Sequence, residues 1–347
     1  MRKTNMPDDR MINRCVVLRR RPVGVPVADD FMITDAPLTE PAEGELTVRN
    51  RFISLDPGLR QRLSQVDSYV KLIDIGGLLT TTTLGEVIAS RHSDYAVGDA
   101  VVGFNTISEY STGAPGPMTR KVDLARTASP SNHLSVLGPT GMTAYFGMLD
   151  IGRPQAGETV LVSAASGAVG SVAGQIARIK GCRTVGIAGG AEKCRRLVEE
   201  FSFDAAIDYH GKDLAAITTA IREACPDGVD IFFDNVGGIQ LDAALDCLNP
   251  GGRVALCGLI AQYNASEPPI MTNLFKLIAK SARIEGFLMS NYADRFTDAL
   301  DEMAGWINDG RLVFREQFED GLDNAVRGFL RLFDGSNAGK MIVRMPD

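Results

Sequence analysis

The sequence predicts an α/β protein: an open, doubly wound parallel sheet of six strands accompanied by a second, β-rich domain. Three observations carry that prediction. Thr159–Gly181 passes from a short apolar run, through a turn of small residues, into a helical pattern. From Thr159 to Leu288 short apolar strands alternate with amphipathic helices, as parallel strands joined by crossovers require. Before residue 130 the apolar runs are short and separated by Pro and Gly, which suits a distorted barrel or sandwich.

The chain opens with MRKTNMPDDRMINR, a polar tail without the apolar core of a signal peptide. Cys15–Leu18, Glu45–Phe52 and Thr83–Ile88 are strand-like, and Ala96–Phe104 is a turn feeding a strand. Pro22, Pro26, Pro37, Pro41, Pro57, Gly76-Gly77 and Gly113–Pro117 punctuate them. Gly138–Tyr145 opens a helix, in which Tyr145 and Phe146, following Thr143, read as core. Thr159–Ser163 is then the first buried parallel strand, and Val172, Ile176 and Ile179 share one face of the helix after it. Strands follow at Arg183–Ala188, Ala205–Tyr209, Val229–Phe233, Arg253–Cys257 and Ile284–Leu288. Between them lie helices at Ala191–Phe201, Leu214–Ala224, Leu241–Leu248 and Asn273–Lys280. Helices at Arg295–Asn308 and Leu322–Leu332 lead to a last strand, Lys340–Arg344, which has no βα partner left and should return to the β-rich domain.

Composition bounds the function. With 347 residues, 45% hydrophobic, the chain can bury the cores of two domains. A net charge of −7 gives no support to nucleic-acid or anionic-membrane binding. No apolar run approaches the roughly 20 residues of a spanning helix. Six scattered cysteines without a CxxC pair suit a reduced, cytoplasmic protein.

The turn Ala164–Ser171, AASGAVGS, carries the chemistry. A helix N-terminus offers N–H groups and partial positive charge to a pyrophosphate if no side chain blocks the approach. Gly167 and Gly170 match the second and third glycines of the dinucleotide fingerprint, while Ala164 or Ala165 stands in place of the first. Sites for an unphosphorylated ribose end the second strand with an acid. Here Gly189-Gly190 end it and Lys193 follows; Glu192, at the helix start, should point outward. Tyr209 ends the third strand. Lys193 also reads as a solvated helix lysine and Tyr209 as a core-edge residue, but with the missing acid they favour a 2′-phosphate, hence NADP(H).

The segments NRCVVLRRRPVGVP, SLDPGLRQRL, GMTAYFGMLDIG, AASGAVGS, GIAGGAEKCR, FDNVGG, CGLIAQYN and NAGK occur in this order. Together they resemble the zinc-free double-bond reductases of the medium-chain dehydrogenase/reductase superfamily. The resemblance covers almost the whole chain after the first dozen residues, and its bacterial curcumin reductase branch is nearest. It implies a GroES-like substrate domain (1–138 and 310–347), a central Rossmann domain (139–309) and a homodimer. It also implies NADPH-dependent reduction of a C=C bond conjugated to a carbonyl, with an enal or enone as the small-molecule substrate. The cofactor contacts it implies are Thr143, Ala168, Val169, Gly170, Gly189, Lys193, Tyr209, Asn235, Cys257, Gly258, Tyr263 and Asn337. Independently, Asn235 follows the fourth strand at the sheet's carboxyl edge, where ligands of such sheets lie.

Two departures bear on the substrate. The family's SLDPYMR reads SLDPGLR here, with Gly58 and Leu59 for Tyr and Met, and the stretch after Tyr263-Asn264 is shorter. Zinc chemistry lacks its residues: before Gly138 the chain has only Cys15, His92 and His133, with no ligand spacing. His92 sits in a polar turn and reads as a surface residue; His133 and His210 read the same way. Without zinc, the oxyanion formed as hydride reaches the β-carbon needs hydrogen-bond donors: the Tyr263 hydroxyl, a cofactor ribose hydroxyl or water. Tyr263, solvent or Tyr69 would protonate the α-carbon; Tyr69 lies where bacterial relatives carry an active-site tyrosine. An alcohol dehydrogenase is disfavoured by the missing zinc ligands. A quinone reductase and a non-catalytic NADPH-binding regulator are the competing readings. The strands at Arg253–Cys257 and Ile284–Leu288 should lie at or near one sheet edge, where a second copy would cover them.

Overall fold

The computed structural model describes residues 11–64, 71–265, 267 and 269–346. The chain forms two compact units, one running from residue 136 to 315 and the other built from the segments on either side of it.

The central unit holds six parallel strands: β1 (Thr159–Val162), β2 (Arg183–Ala188), β3 (Ala205–Asp208), β4 (Val229–Asp234), β5 (Leu248–Leu256) and β6 (Arg283–Gly286). Their order is β3-β2-β1-β4-β5-β6, so the direction of winding reverses between β1 and β4. Helices α1 (Gly170–Ile179), α2 (Ala191–Glu199), α3 (Leu214–Ala224) and α4 (Gly238–Cys247) connect them. Side chains of β1 alternate between two cores, as a pleated strand demands. Val160 and Val162 pack with Val172, Ala173 and Ile176, while Leu161 packs with Ile217, Ile221 and Leu245. All three strand residues are fully buried, each worth roughly 1.5–3 kcal/mol on transfer from water. Tyr145 and Phe146 are core residues, the tyrosine hydroxyl donating to Glu302 and the phenylalanine stacking on Tyr292.

In the β-rich unit the ten-residue strand Leu46–Leu55 is the hub. It pairs antiparallel with Thr80–Ser90, Tyr110–Gly113 and Lys340–Arg344. The last strand thus returns to this unit, where Glu316–Asp320 extends it in parallel. Lys340, 2% exposed, donates to the Leu55 carbonyl at 3.1 Å and pairs with Asp56, so its buried charge is compensated.

Several boundaries differ from expectation. Phe31–Pro37 pairs with Ile12–Leu18, and Glu316–Asp320 is a strand; neither shows a clean period of two. Gly147–Gly152 is a π-helical turn, with Gly147 against Phe287 and Phe233. The helix expected over Asn273–Lys280 forms only at Lys276–Ala279; the residues before it make tighter turns, Lys276 and Leu277 donating to the Asn273 and Leu274 carbonyls, while Asp242 accepts from the Thr272 and Asn273 N–H groups at 3.1 and 2.7 Å. His133 is buried in the turn Pro130–Leu134, not at the surface.

Candidate active site

The site is built at the carboxyl edge of the sheet, where β1 and β4 diverge. The chain leaves β1 through Ser163 and Ala164. Ala164 has φ +44°, the left-handed conformation a glycine adopts freely, while Ala165 stands at the first glycine's spacing before Gly167 and Gly170. An L-residue there costs roughly 1–2 kcal/mol. Gly170 is obligatory: a Cβ on it would lie 2.5 Å from the Ala164 carbonyl oxygen and 2.8 Å from Ala165 Cα. Gly167 donates to the Ala164 carbonyl at 2.9 Å, closing the turn. No side chain caps α1, whose N-cap is Val169. The turn therefore presents backbone at a helix N-terminus, the arrangement that suits a pyrophosphate.

Opposite this turn, β4 ends in Asp234, wholly buried. It accepts from the Ser163 hydroxyl at 2.7 Å, Val236 N–H at 2.9 Å and Gly237 N–H at 3.0 Å. Burial pushes its carboxyl above the usual range, opposed by those three donors. The next residue, Asn235, donates its backbone N–H to the Ser163 hydroxyl and its side-chain amide to the Ser163 carbonyl, at 2.8 and 2.7 Å. One buried carboxylate and one amide thus bind the ends of β1 and β4 into a single edge. Cys257 and Gly258 follow β5 and donate their N–H groups to the Asp234 carbonyl. Burial pushes the Cys257 thiol up to about 12, so it stays protonated at neutral pH. Tyr263 ends the short turn Ile260–Gln262, and its hydroxyl lies 3.5 Å from the Cβ position of Gly258. Ala168, Val169, Gly170, Asn235, Cys257, Gly258 and Tyr263 therefore stand along one edge.

A second cluster lies at the ends of β2 and β3. Gly190, φ +89°, starts α2, and its N–H donates to Asp208 Oδ1 at 2.8 Å. The backbone N–H groups of Gly190 and His210 hold the Asp208 carboxyl below its usual range. Glu192 turns outward onto Arg195 and Arg196 of its own helix. Lys193 is half-buried and Tyr209 is exposed.

Two family models match the chain, "N-terminal domain of oxidoreductase" over residues 14–122 and "Zinc-binding dehydrogenase" over residues 168–305. An NADPH-dependent curcumin reductase of Escherichia coli is 40% identical, the match covering 98% of this chain and 99% of the relative. A 2-alkenal reductase (NADP(+)-dependent) of Nicotiana tabacum is 36% identical over 96% of this chain and 98% of its own. The chain belongs to the zinc-free, NADP-dependent double-bond reductases of the medium-chain dehydrogenase/reductase superfamily. Among solved structures, CurA of Vibrio vulnificus in complex with NADPH superposes with a TM-score of 0.90 at 38% identity, covering 96% of this chain and 99% of that one. Although one matching model is described as zinc-binding, the described residues of this reductase contain no group of three or more His, Cys, Asp or Glu able to hold a metal.

Thr143, Asn337 and Tyr69 are the remaining expected positions. Thr143 lies within the helix Pro139–Phe146, its hydroxyl donating to the Pro139 carbonyl at 2.7 Å. Asn337 belongs to the β-rich unit, just before the strand Lys340–Arg344. Tyr69 lies outside the described residues. Asp234, Ser163 and Asp208 were not anticipated. An acid closing a buried apolar strand, as in IFFD and AAID, was the available signal.

Proposed function

We propose that this chain reduces the C=C bond of α,β-unsaturated carbonyl compounds, using NADPH and no metal. The observation that carries the reading is the carboxyl edge itself. It has an uncapped helix N-terminus behind a glycine turn, no acid at the end of β2, and a tyrosine hydroxyl above Gly258. The likeness to curcumin and alkenal reductases over almost the whole chain supports it.

The residues fit the cofactor. Ala168 and Val169 offer backbone N–H groups to the pyrophosphate, and Gly170 keeps the helix close enough to aim them. Lys193 and Tyr209 meet the 2′-phosphate. Asn235 holds the edge in register through Ser163. NADPH, when bound, supplies the hydride. The Tyr263 hydroxyl donates to the oxygen that gains negative charge, and pre-positioning of this donor lowers the barrier. The α-carbon takes its proton from Tyr263, Tyr69 or solvent.

The functional form is a homodimer in the cytoplasm. β6 is an edge strand, and Ile270, Phe275 and Ile278 near it are strongly exposed. All six cysteines are free thiols, and among the described residues no helix is long and apolar enough to cross a membrane.

A single assay tests the reading: oxidation of NADPH followed against enals, enones, curcumin-like diones, quinones and simple alcohols, with and without chelator. Turnover of enones and enals that is indifferent to chelator is expected. Turnover of quinones alone, or activity that needs zinc, would refute it.

A further inference from the structure

The end of β2 is where an acid meets an unphosphorylated ribose in many dinucleotide sites. In this chain Gly189 stands there. A Cβ built on it would lie 2.7 Å from His210 Nε2 and 3.1 Å from a ring carbon of Tyr209. The imidazole of the loop after β3 therefore fills the space through which a side chain at 189 would leave the backbone. Its placement is determined locally. The backbone N–H of His210 donates to Asp208 Oδ1 at 3.0 Å, and the same oxygen accepts from the backbone N–H of Gly190 at 2.8 Å, tying the loop to the end of β2. The ring stands edge-on to Tyr209, centroids 5.0 Å apart, with Nδ1 3.7 Å from Asp208 Oδ1. The His210 side chain is 62% exposed and open to a ligand.

We infer that His210 is a specificity residue for the cofactor's 2′-phosphate, standing where an acid would stand. The inference rests on the NADPH reading above and adds to it a residue that lies outside the fingerprint. Its chemistry is an exchange of sign. A carboxylate at the end of β2 accepts from ribose hydroxyls and repels a phosphate. An imidazole in the same space offers an N–H donor, and a positive charge when protonated, to the phosphate oxygens. Asp208 faces Nδ1, with its Oδ1 also accepting from two backbone N–H groups, and so leaves Nε2, the atom nearest the Cβ position of Gly189, for the phosphate. Glu192 is directed into ion pairs with Arg195 and Arg196. Glycine at 189 is part of the device, since any side chain there would displace the ring.

The test measures dissociation constants of NADPH, NADH, 2′-AMP and 5′-AMP for the wild type, His210→Ala and His210→Lys, with thermal midpoints recorded for each protein. His210→Ala should weaken NADPH and 2′-AMP by about tenfold, the order expected for one charge-assisted bond at an open site, and spare NADH and 5′-AMP. His210→Lys should keep the preference, and its retention at an unchanged midpoint separates recognition from folding. Equal weakening of NADPH and NADH, or no change for 2′-AMP, would overturn the inference. A wild type that does not distinguish NADPH from NADH would remove the cofactor reading together with it. A wild type that does distinguish them, alongside a His210→Ala variant of equal preference, would remove His210 alone.

Discussion

Tyr263 is the residue on which the proposed chemistry turns. Its ring follows β5 by a short turn and brings the hydroxyl to the Cβ position of Gly258, beside the Asn235 carbonyl that the same position meets at 3.3 Å. Tyr263→Phe keeps the ring and its packing and removes only the donor. Turnover should fall about 10²–10³-fold with KM nearly constant, the mark of an interaction made in the transition state. Steady-state kinetics decide it: unchanged kcat with weaker NADPH binding would make Tyr263 a cofactor clamp. Cys257, on the same edge, is no rival as a nucleophile, because burial holds its thiol protonated.

At the scale of elements, the strand–turn–helix of β1 and α1 is held by one contact distance. Gly170→Ala puts a methyl 2.5 Å from a backbone oxygen that cannot yield like a flexible side chain. A loss of about 1–3 kcal/mol follows, as in overpacked cores, and calorimetry should show a midpoint lower by several degrees. The loop joining β3 to α3 makes a different prediction. The Asp208 carboxyl lies below its usual range because Gly190 and His210 N–H groups favour its charged form. A depressed carboxyl contributes stability that is present above its ordinary value, near pH ~4, and lost as pH falls through its folded value. Asp208→Asn keeps an acceptor oxygen without the charge. Its midpoint should lie below wild type above about pH 4, and the gap should close in more acid solution. A gap that is constant from pH 3 to 7 would contradict this. Asp208 is partly exposed, so the effect is small and weakens with salt.

For the whole molecule, the open edge of the sheet is the feature that needs a partner. Among the described residues β6 pairs with β5 alone, and Ile278, 85% exposed, and Phe275, 60% exposed, belong to the segment before it. An apolar edge of this kind suits association, and the proposed homodimer would cover it with a second copy of the chain. Light scattering at micromolar concentration should give twice 37.3 kDa, and Ile278→Asp should shift the population to 37.3 kDa. A wild type already monomeric at that concentration would contradict the assembly.

Much of this was legible in the sequence because the forces involved are periodic and local. Strands of the parallel sheet are buried on both faces, so they appear as unbroken apolar runs, and α1 shows its buried face every third or fourth residue. Glycines required by backbone approach, and the absence of an acid after β2, could likewise be read from type and spacing alone. Other features depended on contacts between residues far apart in the chain. Asp242 accepts from the Asn273 N–H, thirty-one residues away in sequence. Phe31–Pro37 becomes a strand only because Ile12–Leu18 lies beside it. Asp234 is legible as an acid, but its task of binding β1 to β4 depends on Ser163, which only folding brings within 2.7 Å. His210 reads as an unremarkable loop histidine until β2 and β3 pair and set its ring against Gly189. Periodicity reports how much water each residue will lose; which polar groups then meet is determined by the geometry of the assembled sheet.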